Sequence, residues 1–297
     1  MKVVVSGASG LIGTALVPVL RAEGHEVIRL VRRDARGPDE VAWDPEAGSL
    51  DVRALEGVDA IVNLSGANIG QRWTAARKRE ILESRTTTTG LLARTAAALD
   101  PRPAVFVSAG GAGVYGDRGD EIVTEDSTLG SGFEADVSRA WEAARAPARE
   151  AGVRVVDFRQ GMVLAKEGGA LARMLLPFKL GVGGRVGNGK QWWSWVGIDD
   201  VTAAYAFVLR SELGGAVNLS SPNPVTSKQF TDALGKALRR PTVFPAPAFA
   251  IRALYGEMGD NVLLRGRRAL PARLLEAGFE FASPTIDVAL ANILSQR

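Results

Sequence analysis

The chain has 297 residues and 36 Lys plus Arg against 33 Asp plus Glu, for a net charge of +3, with one histidine and no cysteine. The missing cysteine excludes disulfides, thiolate nucleophiles, iron–sulfur clusters and sulfur-ligated zinc, and the lone His25 excludes a multi-histidine metal cage. A 46% apolar, 23% charged composition gives a sizeable core, and the small, scattered basic excess excludes nucleic acid as an expected partner.

Lys2 and the apolar run from Val3 to Leu20 imitate an export signal, but glycines and Pro18 interrupt the run. Arg21 and Glu23 then follow it in place of a cleavage site. The segment reads as a folded strand and helix, so neither a targeting segment nor a membrane span is expected, and the expected compartment is the cytoplasm. Val3-Val4-Val5 predicts a strand buried on both faces. The turn from Ser6 to Gly13 follows, then a helical apolar pattern to Leu20 and a second strand from Glu26 to Val31. Strand, glycine-rich turn, helix and strand in this order predict a dinucleotide site. Gly7 allows the tight turn, Gly10 lets backbone approach a pyrophosphate, and Gly13 lets the helix lie close to the strand. Ser9, Leu11 and Ile12 share that turn and are cofactor candidates with them.

An acidic residue at the end of the second strand would accept the ribose 2′-hydroxyl and favour NAD. Arg32-Arg33 stand there instead, and two guanidinium groups suit a 2′-phosphate, so the predicted cofactor is NADP. His25 falls in the turn at the opposite end of the sheet and is not a catalytic candidate. The G-x-x-G-x-x-G spacing resembles the extended branch of the short-chain dehydrogenase/reductase superfamily.

Asp59 to Gly66 predicts a strand with a small-residue end, where Leu64, Ser65 and Gly66 would lie against the adenosine half of the cofactor. The helix predicted from about Thr74 to Leu99 carries Arg85, within reach of a phosphate or ribose. Glu80 would orient Arg85 or bond a ribose, unless the two form a plain surface pair. The strand Ala104 to Ser108 leads into a loop ending Val114-Tyr115-Gly116, which resembles the loop lining the nicotinamide in the extended branch. A helix over 135–151 and a strand from Arg154 to Arg159 follow, and Val163 leaves that strand at a place where the branch contacts the carboxamide. Beyond Leu164 the chain turns rich in Gly, Trp and Pro. Gln191 to Val196 either shapes a substrate pocket or packs a domain junction. Asp199-Asp200 reads as the acidic start of a helix, Thr226 as a helix cap, and Ala246 to Leu254 as a lid or a dimer surface.

The stretches Asn63 to Ile69, Arg72-Trp73, Ser84-Arg85, Leu176 to Gly181, Ser194 to Asp200 and Glu276 to Phe281 resemble one atypical family of this superfamily. It is the "epimerase family", which ends in a small domain of unknown function. The resemblance implies cofactor contacts near Arg32, Arg33, Leu64, Ser65, Glu80, Arg85 and Val163. The expected fold is α/β, a Rossmann-type doubly wound parallel sheet over residues 1–164. A smaller C-terminal α+β substrate region spans 165–297, interleaved with the first around 199–220.

The superfamily's usual chemistry needs Tyr and Lys four residues apart, which sets an ammonium beside the phenol. Residues four on from Tyr115, Tyr205 and Tyr255 are Gly119, Leu209 and Gly259, so the pair is missing. Counting back from Glu142 places Ser138 and Glu134 where the Lys and Tyr would stand, and the usual Ser falls on Gly110 or Gly111. Three readings stay open. Ser108 and Tyr115 act as catalytic residues in another geometry, or carboxylates among Asp117, Asp120, Glu121 and Glu125 do, or NADP is bound without turnover. The leading expectation is an NADP-dependent oxidoreductase or epimerase-like protein that transfers hydride to a small polar substrate, with a homodimer as a possible assembly. Its rival is an NADP-binding regulatory or redox-sensing protein.

Overall fold

The structure, a computed structural model, describes residues 1–295; the last two residues of the expected C-terminal region lie outside it. The N-terminal part holds five strands and one helix: β1 (Lys2–Ser6), α1 (Leu11–Ala22), β2 (Glu26–Val31), β3 (Glu40–Asp44), β4 (Ser49–Leu50) and β5 (Ala60–Asn63). Next come α2 (Ala75–Ala98), β6 (Val105–Ser108), β7 (Ile122–Val123), α3 (Phe133–Ala143), α4 (Ala146–Glu150), β8 (Arg154–Gln160) and β9 (Met162–Leu164). The last part holds α5 (Gly169–Lys179), β10 (Trp192–Trp193), β11 (Trp195–Gly197), α6 (Ile198–Arg210), β12 (Gly215–Leu219) and β13 (Val225–Thr226). It closes with α7 (Ser227–Leu238), α8 (Ala248–Tyr255), β14 (Arg268–Ala269), α9 (Ala272–Glu276) and α10 (Ile286–Ser295).

Eight strands form one sheet in the order β12-β8-β6-β5-β1-β2-β3-β4, parallel throughout except for the β3–β4 pair. Val3, Val4 and Val5 are all fully buried because helices cover both faces. Val3 and Val5 join Leu16 and Leu20 of α1 and Val201 of α6 on one face, while Val4 joins Ile61, Leu92 and Phe106 on the other. The chain moves outward in one direction through β2 and β3 and in the other through β5, β6 and β8. The switch point therefore lies between β1 and β5, where a parallel sheet opens its ligand crevice. Residues 198–219 return to this sheet as α6 and β12.

A second cluster, built on Leu171, Phe178, Trp195, Phe230 and Leu290, organises the C-terminal lobe. β11 pairs with β9 and β14 with β7, so the lobe is tied to the N-terminal part at two places, while β10 pairs with β13 inside the lobe. Thr226 caps α7 through a capping box with Gln229, as its sequence predicts. Asp199 and Asp200 stand in the first turn of α6, as expected, and the Asp200 carboxylate also accepts the Ala282 and Ser283 amides at 2.7 and 3.2 Å, anchoring the C-terminal tail. The helix expected over 135–151 is broken into α3 and α4 at Ala144-Arg145, with Pro147 in the first turn of α4 where its missing N–H costs nothing. The break turns the fully buried Arg145 into the sheet. No helix among the described residues is long and apolar enough to cross a membrane.

Candidate nucleotide site

Gly7 takes φ +70°, and a Cβ there would sit 2.8 Å from the Leu64 carbonyl carbon and oxygen. A Cβ at Gly13 would lie 2.4 Å from the Gly7 oxygen and 2.6 Å from Ala8 Cα, so α1 packs on the turn with no room for a side chain. At Gly10 the nearest group is the Gly7 oxygen at 3.2 Å, which leaves that backbone open on the outside. No side chain caps α1, so its first amides remain available to an anion, with Ser9 exposed beside them. Leu11 reaches over to Gly168 and Gly169, and Gly169 in turn lies near the Val163 carbonyl. These contacts bring the turn and β9 to one crevice. Across the switch point the Ser65 hydroxyl donates to Ser6 Oγ (2.9 Å), and Ser6 donates to Asn63 Oδ1 (2.7 Å). The residues present thus fit a dinucleotide: a tight turn, an uncapped helix start and a bare Gly10.

At the edge of β2, Arg32 is exposed and makes no hydrogen bond or ion pair among the described residues. Arg33 is engaged instead, donating through both terminal nitrogens to Glu40 at 2.8 Å. That hydrogen bond holds the Glu40 carboxyl down at about 2.

Arg85 is buried, with its guanidinium 4.8 Å from the Trp141 ring and donating to the Ala67 and Ile81 carbonyls at 3.0 Å. Burial lowers its pKa to about 10, so it stays cationic at neutral pH. Gly66 carries no side chain over this guanidinium. Glu80 does not orient Arg85: it points outward and pairs with Arg77 at 2.5 Å, one turn of α2 away from the crevice. Arg77 also holds the Asn68 carbonyl and Arg173 of α5 the Gly70 carbonyl, while Arg72 reaches the Ala253 carbonyl of α8 at 2.9 Å. Loop 66–72 is therefore fastened from three helices.

The two expected catalytic residues are both in the interior. Ser108 is fully buried and accepts from Arg145 at 3.1 Å and from Asn63 at 3.3 Å. Tyr115 is also fully buried, donating to Asn218 Oδ1 at 2.7 Å and accepting from Arg159 at 3.0 Å. Burial raises the Tyr115 pKa, the reverse of what proton transfer near neutrality needs. Ser108 ends β6 and Tyr115 ends the short turn that follows, and both hydroxyls are buried and engaged by other side chains. Asp120 accepts from the Trp192 indole (2.7 Å), Glu121 pairs with Arg118, and Glu125 accepts the Asn218 amide (2.9 Å). Asp120 thus ties this loop to Trp192 of the C-terminal part, Glu125 ties it to β12 and to the Arg273 amide, and the Glu121 pair is local.

The position aligned with the absent tyrosine holds something else. Glu134 pairs with Arg267 of the C-terminal lobe at 3.0 Å. It lines a surface niche with Asp117, Phe133, Asn261 and Arg265 whose enclosed space is only about 20 Å³, room for a water. A Cβ at Gly113 would touch Glu134 at 2.9 Å, and Ser138 lies beside Gly111, so this carboxylate borders the loop that follows β6. Counting along α3 finds Glu134, but nothing local signals Arg267, its partner 133 residues on. Arg145 was equally hidden: it donates to the Ala109 carbonyl at 2.6 Å and meets Asp157 at 3.1 Å, bracing the same loop from below.

Residues 3–220 match the model of the NAD dependent epimerase/dehydratase family, and residues 246–293 match a domain of unknown function. The chain belongs to the NAD dependent epimerase/dehydratase family. An epimerase family protein of Mycobacterium leprae is 44% identical over 97% of this chain and 94% of its own. Epimerase family protein SDR39U1 of Bos taurus is 38% identical over 99% and 100%. Among solved structures, human epimerase family protein SDR39U1 with NADPH superposes with a TM-score of 0.92 at 35% identity, covering 99% of both chains. A nucleoside-diphosphate sugar epimerase from Corynebacterium glutamicum gives 0.82 at 34% identity, covering 99% of this chain and 58% of that one. The Rossmann-like sheet and the family assignment expected from the glycine turn are thus both met.

Proposed function

We propose that this epimerase-family chain binds NADP(H) and exchanges hydride with a small polar substrate, with Glu134 as the proton carrier. The observation that carries this reading is the Glu134–Arg267 pair, bordering a small surface niche at the position aligned with the superfamily's phenol. The exposed, unpaired Arg32 and the NADPH held by the human relative support the choice of NADP over NAD. The bound nicotinamide supplies or accepts the hydride. In the oxidative direction the Glu134 carboxylate accepts the substrate's hydroxyl proton as the carbon loses hydride. In the reductive direction the same carboxyl returns the proton to the new alkoxide. Arg267 keeps the carboxylate in place, and Arg265 and Asn261 offer donors to a polar substrate.

A panel of carbonyl compounds followed by NADPH absorbance tests it. Glu134→Gln should lower kcat by about 10²- to 10⁴-fold, the usual worth of a positioned acid–base group, with NADPH affinity unchanged. Unchanged kcat in that variant refutes the role. The second reading, binding without turnover, is favoured by the burial of Ser108 and Tyr115, and tight NADPH binding with no turnover across the panel would select it.

A further inference from the structure

Charge is distributed very unevenly along this chain. Residues 168–198 contain Arg173, Lys179, Arg185 and Lys190 and no acidic residue. Residues 233–256 contain Lys236, Arg239, Arg240 and Arg252, again with no acidic residue. These eight cations exceed the whole chain's +3, so the rest of the molecule carries a net −5. The two stretches lie against one another in space. Gly184 bridges to Val243, Val186 to Ala246, and Arg240 Nε donates to the Lys179 carbonyl at 2.9 Å. Lys236 and Arg252 have carboxylate neighbours in Asp287 and Asp260, and Lys228 beside them pairs with Asp232. Lys179, Arg185, Lys190, Arg239 and Arg240 make no ion pair among the described residues.

The same seam exposes large apolar side chains. Leu176, Leu180, Val182, Val243, Phe244 and Phe249 are each 55–75% exposed. Leu176, Leu180 and Val182 lie on α5 and the turn that ends it, Val243 and Phe244 on the segment leading into α8, and Phe249 in the first turn of α8. Apolar tips with unpaired cations around them match the boundary of an anionic bilayer, where the tips enter the acyl region and the cations meet headgroup phosphates. A second copy of the chain fits poorly, because it would bring the same unpaired cations face to face. A nucleic acid offers the phosphates but no apolar phase for Leu176, Leu180 and Val182.

We propose that this face docks on an anionic membrane surface, holding the protein peripherally by α5, the segment before α8 and the first turn of α8. The docking is independent of the reaction assigned to the crevice, and it departs from the absence of a membrane partner expected of the sequence. Flotation with phosphatidylcholine vesicles, and with equal mixtures of phosphatidylcholine and phosphatidylglycerol, tests it on the full chain. The mixed vesicles should bind at least about tenfold more tightly, and salt should weaken that preference. A double variant, Arg239→Glu with Arg240→Glu, should abolish the preference. Phe244→Ser with Phe249→Ser should weaken binding to mixed vesicles while NADPH affinity and Tm stay unchanged, since both rings are exposed. Absent or equal binding to the two vesicle types overturns the proposal. So does a dimer in sedimentation equilibrium that the Phe244→Ser, Phe249→Ser variant splits, or tight binding of duplex DNA by a chain that ignores vesicles.

Discussion

Arg32 and Arg33 are neighbours with different freedom, since one is unpaired and the other is locked on Glu40. A charge-assisted bond to a 2′-phosphate contributes about 1.5–3 kcal/mol. Arg32→Ala should therefore weaken NADPH binding by about ten- to a hundredfold and leave NADH binding unchanged, as read by titration calorimetry. Arg33→Ala should change cofactor preference less and lower Tm instead, because Glu40 would lose its main partner. Tyr115 offers the opposite contrast. Its hydroxyl joins Arg159 to Asn218 in the interior, so Tyr115→Phe should cost about 1–3 kcal/mol in a denaturant titration without altering NADPH affinity. Lost turnover at full stability would instead restore Tyr115 to the catalytic site.

Among the elements, the turn between β1 and α1 separates two uses of glycine. Gly13→Ala drives a methyl group into the Gly7 oxygen and Ala8 Cα, so it should destabilise the fold by about 1–3 kcal/mol as well as weaken NADPH. Gly10→Ala meets only one atom at 3.2 Å, so Tm should hold while NADPH affinity falls; paired melting and binding curves distinguish the two. This turn was legible in the sequence because all of its constraints lie within seven residues, from Gly7 to Gly13. The break between α3 and α4 was not, because no glycine marks Ala144-Arg145 and a first-turn Pro147 is compatible with an unbroken reading. β3 was obscured in the same way by Glu40, a buried acid whose fit to the sheet depends on Arg29 and Arg33. Ser108 and Tyr115 resemble active residues by their place in the chain, and only the distant partners that cover them, Arg145 for one and Arg159 with Asn218 for the other, show their burial. The cofactor half of the site is written locally, whereas the proposed acid–base pair, Glu134 with Arg267, is assembled from α3 and the C-terminal lobe.

For the molecule as a whole, the acid limb of stability carries a signature of the β2–β3 edge. Arg33 depresses the Glu40 carboxyl to about 2, below its usual value, so the folded state binds that proton less readily than the unfolded chain does. The contribution is complete above the ordinary carboxylate range and is lost as pH falls toward about 2. Denaturation of the native protein and Glu40→Gln across that range should give curves that differ at neutral pH and converge in acid. Parallel curves would mean that the pair does not stabilise the fold.

The separation of the eight-cation face from the −5 remainder also governs how the protein behaves in a column. A particle with a cationic face turns it toward any anionic surface, so its average charge of +3 is a poor guide. Near neutrality, a cation exchanger should retain it more firmly than that average charge alone would.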